Sequence, residues 1–160
     1  MRVQLDNTRF ENYIIRTGIG HSPNKLTAFD RALIAARVSD YNLIKISSIL
    51  PPNCTFNDDV MLSGGALLPS AFCTRYSDKI GETISAAVAI GIPRKNDDFG
   101  VIMKHSSLLN KIETEEIVRS LAQQAMYDRR IPLLDIVSAS TECLVESSEI
   151  YCVFATVSLW

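Results

Sequence analysis

The segment Asn42-Leu43-Ile44-Lys45-Ile46-Ser47-Ser48-Ile49-Leu50-Pro51-Pro52 constrains the fold of this chain more than any other. From Leu43 to Leu50 it is rich in aliphatic and β-branched residues, the pattern of a buried strand. Proline has no N–H for a ladder, so Pro51 and Pro52 end that strand. The pattern therefore predicts a buried strand whose end carries paired hydroxyls, Ser47 and Ser48, beside a rigid turn. Strand-end serines commonly satisfy nearby backbone groups, and no spacing rule singles out a Ser-Ser pair. From the pattern alone the pair is open to a structural role or a chemical one.

Composition narrows the classes. A chain of 160 residues is most simply one domain, long enough for a substantial core. With 47% hydrophobic and 21% charged residues it has the balance of a globular protein. A formal net charge of −2 leaves no basic field for nucleic acid. No apolar run approaches a membrane span, and Met1 to Asn7 lacks the apolar core of a signal peptide, so a cytoplasmic location away from membranes is expected. The four cysteines, Cys54, Cys73, Cys143 and Cys152, form no Cys-x-x-Cys pair, and only His21 and His105 offer imidazole ligands. Neither a metal site nor a disulfide framework is expected; Cys143 and Cys152, in apolar strand-like stretches, read as small core residues.

In chain order, residues 1–11 are polar and expected to be loosely held. A β-like run within Asn12 to Gly20 ends in Gly18-Ile19-Gly20, which predicts either a positive-φ turn or close backbone approach. A phosphate loop would need more glycines and a lysine. Thr27 reads as the cap of a helix to about Arg37, with Asp30 as the acid of a capping box and Phe29, Ala32, Leu33, Ala35 and Ala36 on one face. Asn53 to Asp59 reads as a polar loop. Strands are expected over residues 66–76, 83–92 and from Phe99 to about His105, the last two joined by a hairpin-like turn at Arg94 to Asp98. The small residues around Ala86-Ala87 invite close approach of a neighbour. Asn110 to Glu113 reads as a capped helix start, followed by a stripe of Ile117, Val118, Leu121, Ala122, Ala125 and Met126 that Pro132 terminates. Leu133 to Val145 and Glu149 to Leu159 read as a closing hairpin. Strands interrupted by two helices fit an α+β layered sandwich, residues 1–160 forming a single domain without repeats or linkers.

Several segments together resemble a known family. Ser47-Ser48-Ile49-Leu50-Pro51-Pro52, Ala28-Phe29-Asp30 with Ala32-Leu33, Gly65-Ala66-Leu67 with Pro69, Gly81-Glu82-Thr83-Ile84-Ser85-Ala86-Ala87 and Ile102-Met103 look like segments of the pyruvoyl-dependent arginine decarboxylases, in that family's order and spacing. The resemblance runs from about Asn24 to Trp160. It implies a four-layer αββα sandwich and a homo-oligomer, a trimer of αβ units or a dimer of trimers, with active sites between subunits. It also implies self-cleavage between Ser47 and Ser48 into a β chain, residues 1–47, and an α chain, residues 48–160. In that chemistry the Ser48 hydroxyl attacks the Ser47 carbonyl, β-elimination breaks the chain, and residue 48 becomes the pyruvoyl cofactor, with no metal. The ketone takes up the electrons left when an amino acid loses carbon dioxide. The implied reaction is arginine to agmatine, a step of polyamine biosynthesis. Asp30 would hold the guanidinium through parallel hydrogen bonds, Leu33 would line the aliphatic stem, and Asn42 would position groups near the pyruvoyl. The structural readings beside these are a helix N-terminal acid for Asp30 and a turn residue for Asn42.

One position departs from the family. After Ile102-Met103 the family carries a glutamate, taken as the proton donor to the product; here it is Lys104. An acid and an ammonium differ in charge, reach and normal pKa. Lys104 itself donates the proton, or His105 takes over from the opposite face of its strand, or the chain is altered in substrate or inactive as a decarboxylase. Arg31, beside Asp30, adds another cation; both together in the pocket would favour an acidic or neutral substrate. Three functions thus stand open: a pyruvoyl-dependent amino-acid decarboxylase with arginine to agmatine as the leading reaction, a homologue with altered substrate or without that activity, and an N-terminal serine nucleophile hydrolase made by hydrolytic cleavage.

Overall fold

The computed structural model describes residues 10–160. The loosely held segment expected over residues 1–11 lies, through residue 9, outside the described residues. The elements run β1 (Asn12–Ser22), α1 (Lys25–Ala35), β2 (Asn42–Lys45), β3 (Ile49–Leu50), β4 (Thr55–Phe56), β5 (Leu67–Ser77), β6 (Thr83–Pro93), β7 (Gly100–Ser107), α2 (Lys111–Asp128), β8 (Leu133–Leu144) and β9 (Ile150–Leu159). A five-stranded sheet has the order β2-β5-β9-β1-β4, and a four-stranded sheet the order β3-β7-β6-β8. The sheets stack face to face. Helix α1 covers the outer face of the first over β1 and β9, and α2 covers the second over β6, β7 and β8. These are the four αββα layers of an α+β sandwich.

The central strands explain why their sequences are apolar on both faces. Along β6, Ala86, Val88 and Ile90 face the inter-sheet core with Ile102, Val153, Ala155 and Val157. The alternate residues Ala87 and Ala89 pack under Val118 and Ala122 of α2. Small side chains are needed on that face: a Cβ at Gly91 would sit 2.5 Å from Cγ of Met126. In β9, Val153 and Ala155 point inward, whereas Cys152 and Phe154 pack beneath Ala28, Ala32 and Ala36 of α1. Burial of a side chain such as Phe154 or Ile90 contributes about 1.5–3 kcal/mol.

Several local expectations hold. β3 ends at Leu50, before the proline pair. β6 and β7 form the antiparallel hairpin around Arg94 to Asp98. Asn110 and Glu113 complete the capping box of α2, and Cys152 is fully buried. Others are corrected. The chain does not end β1 at its glycines but runs through them, because Gly18 and Gly20 admit α1: a Cβ at Gly20 would lie 2.4 Å from the Ala28 carbonyl oxygen. The α1 cap is Asn24, whose Oδ1 accepts from the N–H groups of Leu26 and Thr27. Asp30 therefore falls beyond the first turn, which holds no acid, and the Thr27–Asp30 capping box does not form. Within the expected loop, Thr55–Phe56 adds a short parallel strand beside Asn12 and Tyr13. Leu121 and Ala35 are exposed rather than part of their helices' buried faces. β8 and β9 are not a hairpin: they lie in different sheets, since Val137 and Ala139 pair with β6 while Val153 and Val157 pair with β5 and β1.

The most consequential correction concerns residues 42–50. They form not one buried strand but two short ones, β2 at an edge of the first sheet and β3 at an edge of the second. Asn42, Ile44 and Lys45 are exposed. The aliphatic content is explained by the passage between layers: Leu43 packs against the cluster under α1, whereas Ile46 and Leu50 join the inter-sheet core.

The loop beyond β4 is pinned by a buried arginine. Arg16 on β1 donates from Nε to Asp58 Oδ1 at 3.0 Å and from its terminal nitrogens to the carbonyls of Arg37 and Asp58, while Arg37 donates to Asp58 Oδ2 at 2.7 Å. Burial alone would raise the Asp58 carboxyl pKa, but the hydrogen bonds from Arg37 and Arg16 and their charges outweigh it and hold it below the usual value.

Two outcomes follow from this packing. Gly20→Ala forces backbone against backbone and should cost about 3 kcal/mol, lowering Tm by about 6–12 °C in a thermal melt. Because the folded-state pKa of Asp58 is depressed, its contribution is present above the unfolded value and lost as pH falls through the folded one. Melts between about pH 5 and pH 2 should therefore show a shallower acid-side loss of stability in Asp58→Asn than in the wild type.

Candidate active site

The passage between the sheets is made by Ile46, Ser47 and Ser48. The Ile46 N–H donates to the Ser70 carbonyl at 3.1 Å, the last bond to the first sheet. The Ile102 N–H donates to the Ser48 carbonyl at 2.7 Å, extending the β3–β7 ladder by a residue. Between these clamps the Ser47–Ser48 amide makes no backbone hydrogen bond among the described residues. Ser47 is exposed and Ser48 half-buried. Neither hydroxyl has a hydrogen-bond partner among the described residues, so neither fills the backbone-capping role open to strand-end serines. The peptide is held by backbone bonds on both sides and stands outside both ladders in the middle.

Lys104 reaches this peptide. From β7 its Nζ donates to the Ser47 carbonyl oxygen at 3.4 Å, the long end of hydrogen-bond range. Ile102, two residues earlier on the same face, points into the inter-sheet core, whereas Met103 packs toward α2. Strand alternation puts His105 with Met103, away from Ser47. Nearby Cys73 bonds the carbonyls of Ala87 and His105. Its burial pushes the thiol up to about 11, although those bonds and the charges of Lys104 and Lys45 act in the opposite direction. At neutral pH it is a protonated thiol, not a competing nucleophile.

The remaining site residues lie further off. Asn42 starts β2, where its Nδ2 donates to the Gly65 carbonyl at 2.8 Å and its N–H to the Ala66 carbonyl at 2.9 Å. It thus fixes the Gly65-Ala66 turn, with Gly65 at a φ of 82° that favours glycine. Asp30 is exposed on α1 and takes part in no side-chain hydrogen bond or ion pair among the described residues. Leu33 is half-buried in the cluster under α1, together with Leu43. Arg31 turns to the His21 carbonyl at 2.7 Å, so this cation is committed to the end of β1. Within one chain, then, Ser47, Ser48 and Lys104 come together, Asn42 stands at the far end of β2, and Asp30 and Leu33 ride on α1 over β1 and β9, with β5 intervening before β2.

The clamping role of Ile102 and Ser70 carried no signal in the sequence because they act through backbone atoms, although Ile102 belongs to a segment of the family resemblance; only the strand register reveals it. Two hollows among the described residues do not have the serine pair in their lining. One of about 250 Å³ opens beside the Pro-Pro turn between Leu50, Cys54, Asn96 and Gly100. A larger one of about 590 Å³ lies at the end of α2 near Tyr127 and Pro132. Among the described residues no group of three or more His, Cys, Asp or Glu side chains is placed to hold a metal ion. Nor is any described helix long and apolar enough to cross a membrane.

The family described as pyruvoyl-dependent arginine decarboxylase matches residues 12–155. The chain is 42% identical over 143 residues to a protein named pyruvoyl-dependent arginine decarboxylase from Methanococcus aeolicus, covering 89% of this chain and 86% of the relative. It is 38% identical over 143 residues, with the same coverage, to one so named from Methanocaldococcus jannaschii. One from Thermococcus kodakarensis is 37% identical over 123 residues, 76% of this chain and 78% of the relative. Matched by the family over residues 12–155 and 37–42% identical to these relatives over most of its length, the chain belongs to the pyruvoyl-dependent arginine decarboxylase family.

Proposed function

We propose that this chain cleaves itself between Ser47 and Ser48 and then decarboxylates arginine to agmatine, with residue 48 as the pyruvoyl cofactor. The observation that carries this reading is the Ser47–Ser48 amide, clamped on both sides, free of backbone hydrogen bonds in between and flanked by hydroxyls without partners among the described residues.

The first step joins Ser48 Oγ to the carbonyl carbon of Ser47. The C–N bond of that amide breaks, and the hydroxyl proton passes to the departing Ser48 nitrogen, leaving an ester. Removal of the Ser48 Cα proton then expels Ser47 as a carboxylate by breaking the Cβ–Oγ bond. The dehydroalanine left at position 48 takes up water and releases ammonia, which leaves the ketone. The chain supplies fixed geometry through the Ile46–Ser70 and Ile102–Ser48 bonds, so the attacking and attacked atoms need little reorganisation. Cys54 and Cys73, whose burial pushes each up to about 11, stay protonated and do not intrude.

Once present, the ketone supplies the sink for the electrons released with carbon dioxide. Asp30, exposed and free of other partners among the described residues, is available to pair with a guanidinium through two parallel bonds. Its place on α1 suits a trimer of αβ units in which active sites lie between subunits. Leu33 would line the aliphatic stem, and Asn42, through the Gly65-Ala66 turn, would shape the approach to position 48. In this reading the enzyme works in the cytoplasm and its product feeds polyamine formation.

Lys104 favours a second reading, a homologue with altered substrate or no decarboxylase activity, because an ammonium stands where the family has the acid that protonates the product. The readings separate by assay of carbon dioxide and agmatine released from arginine by the purified protein. The first expects both products in equal amounts and neither from Ser48→Ala, which lacks the attacking hydroxyl. Asp30→Asn should lower kcat/KM for arginine by about 10²-fold, the loss of a charged, bidentate partner. Absence of agmatine from fully cleaved wild type supports the second reading. In that case Lys104→Glu, compared per mole of cleaved chain, should gain arginine decarboxylation.

A further inference from the structure

The geometry points to Lys104 as the electrophilic group of the maturation step: its ammonium polarises the Ser47 carbonyl and stabilises the oxyanion formed when Ser48 Oγ attacks. This rests on the self-cleavage reading and assigns a residue to it that the family's glutamate does not foreshadow. Of the atoms in the Ser47–Ser48 amide, the carbonyl oxygen is the one on which negative charge develops, and Lys104 Nζ is the side-chain donor that meets it. The neighbouring carbonyls are already served. Ser70 O takes the N–H of Ile46, and Ser48 O takes the N–H of Ile102. Lys104 continues that ladder by a side chain where the backbone ladder stops.

Its footing is rigid. The Lys104 backbone pairs with Val88 at the centre of the second sheet, between the paired positions Ala89–Met103 and Ala87–His105. The backbone that carries the donor is therefore fixed, and the contact from Nζ to the Ser47 oxygen exists before the reaction begins, which is the condition for such a group to lower a barrier rather than merely bind. The 3.4 Å separation shortens as the oxygen gains charge, because a cation-to-oxyanion hydrogen bond is shorter and stronger than one to a neutral carbonyl. Attack moves the amide π electrons onto that oxygen. Collapse returns them as the C–N bond breaks, so Lys104 is neither consumed nor required to transfer a proton. A carboxylate here would repel the same oxyanion. The exchange of acid for ammonium thus helps the first reaction of the chain while removing the expected acid from the second.

The test is a time course of chain cleavage in freshly purified full-length protein, followed by intact mass, for wild type, Lys104→Met and Lys104→Arg, with a thermal melt of each. Lys104→Met should cleave about 10²-fold more slowly, the usual effect of losing one oxyanion donor, at an unchanged Tm. Lys104→Arg should recover most of the rate, because a cationic donor is retained. Should the methionine variant fail to fold, Lys104→Gln against Lys104→Arg carries the same comparison. Wild-type cleavage with equal rates across the series overturns the role of Lys104 and leaves self-cleavage standing. So does equal slowing of the arginine and methionine variants, since charge would then not matter. A wild type that never cleaves overturns both.

Discussion

Everything at the candidate site depends on one short passage of chain shared between two sheets. Ile46 is the last residue bonded to the first sheet, and Ser48 the first bonded to the second. An amide inside either ladder would have its carbonyl and N–H engaged, and its side chains would alternate into packed layers. Placed between the ladders, the Ser47–Ser48 amide escapes both constraints while its neighbours are immobilised. The proline pair that follows prevents β3 from lengthening, which keeps the passage at the sheet edge.

The layers exist to hold that passage still. β6 and β9, buried on both faces, form the stiff centre of each sheet, and the alanines of β6 and the glycines of β1 let the helices seat closely. β7, next to β6, carries both Ile102 and Lys104 to the passage, the first through its backbone and the second through its side chain. The Arg16–Asp58–Arg37 cluster fastens the chain that follows β4 to β1 and to the end of α1. Packing, register and a side chain thus converge on one peptide bond.

Local rules read much of this correctly from the sequence. The hairpin at Arg94 to Asp98, the Asn110–Glu113 box and the stop before Pro51 each depend on a few neighbouring residues. Sheet membership was not legible, because an apolar run has the same appearance whether it lies in one buried strand or in two edge strands that face different layers. The same ambiguity joined β8 and β9 into a hairpin that the structure does not contain. Asn24 took the α1 cap from Thr27 because both are good cap residues and packing of Ala28 and Ala32 under β1 chose the frame. The serine pair was visible as a pair, and family resemblance supplied its chemistry. The contact between Lys104 and the Ser47 carbonyl needed the register between β3 and β7, separated by some fifty residues of sequence and invisible to any local pattern.

The central claim is that the free peptide at the sheet crossing breaks itself and leaves a ketone. A denaturing intact mass spectrum of the purified protein, with and without borohydride, meets that claim most directly. Two fragments divided between Ser47 and Ser48, the larger gaining the mass of a reduced carbonyl, are expected. A single uncleaved chain, or a larger fragment that begins with a free serine amine and ignores borohydride, would contradict it.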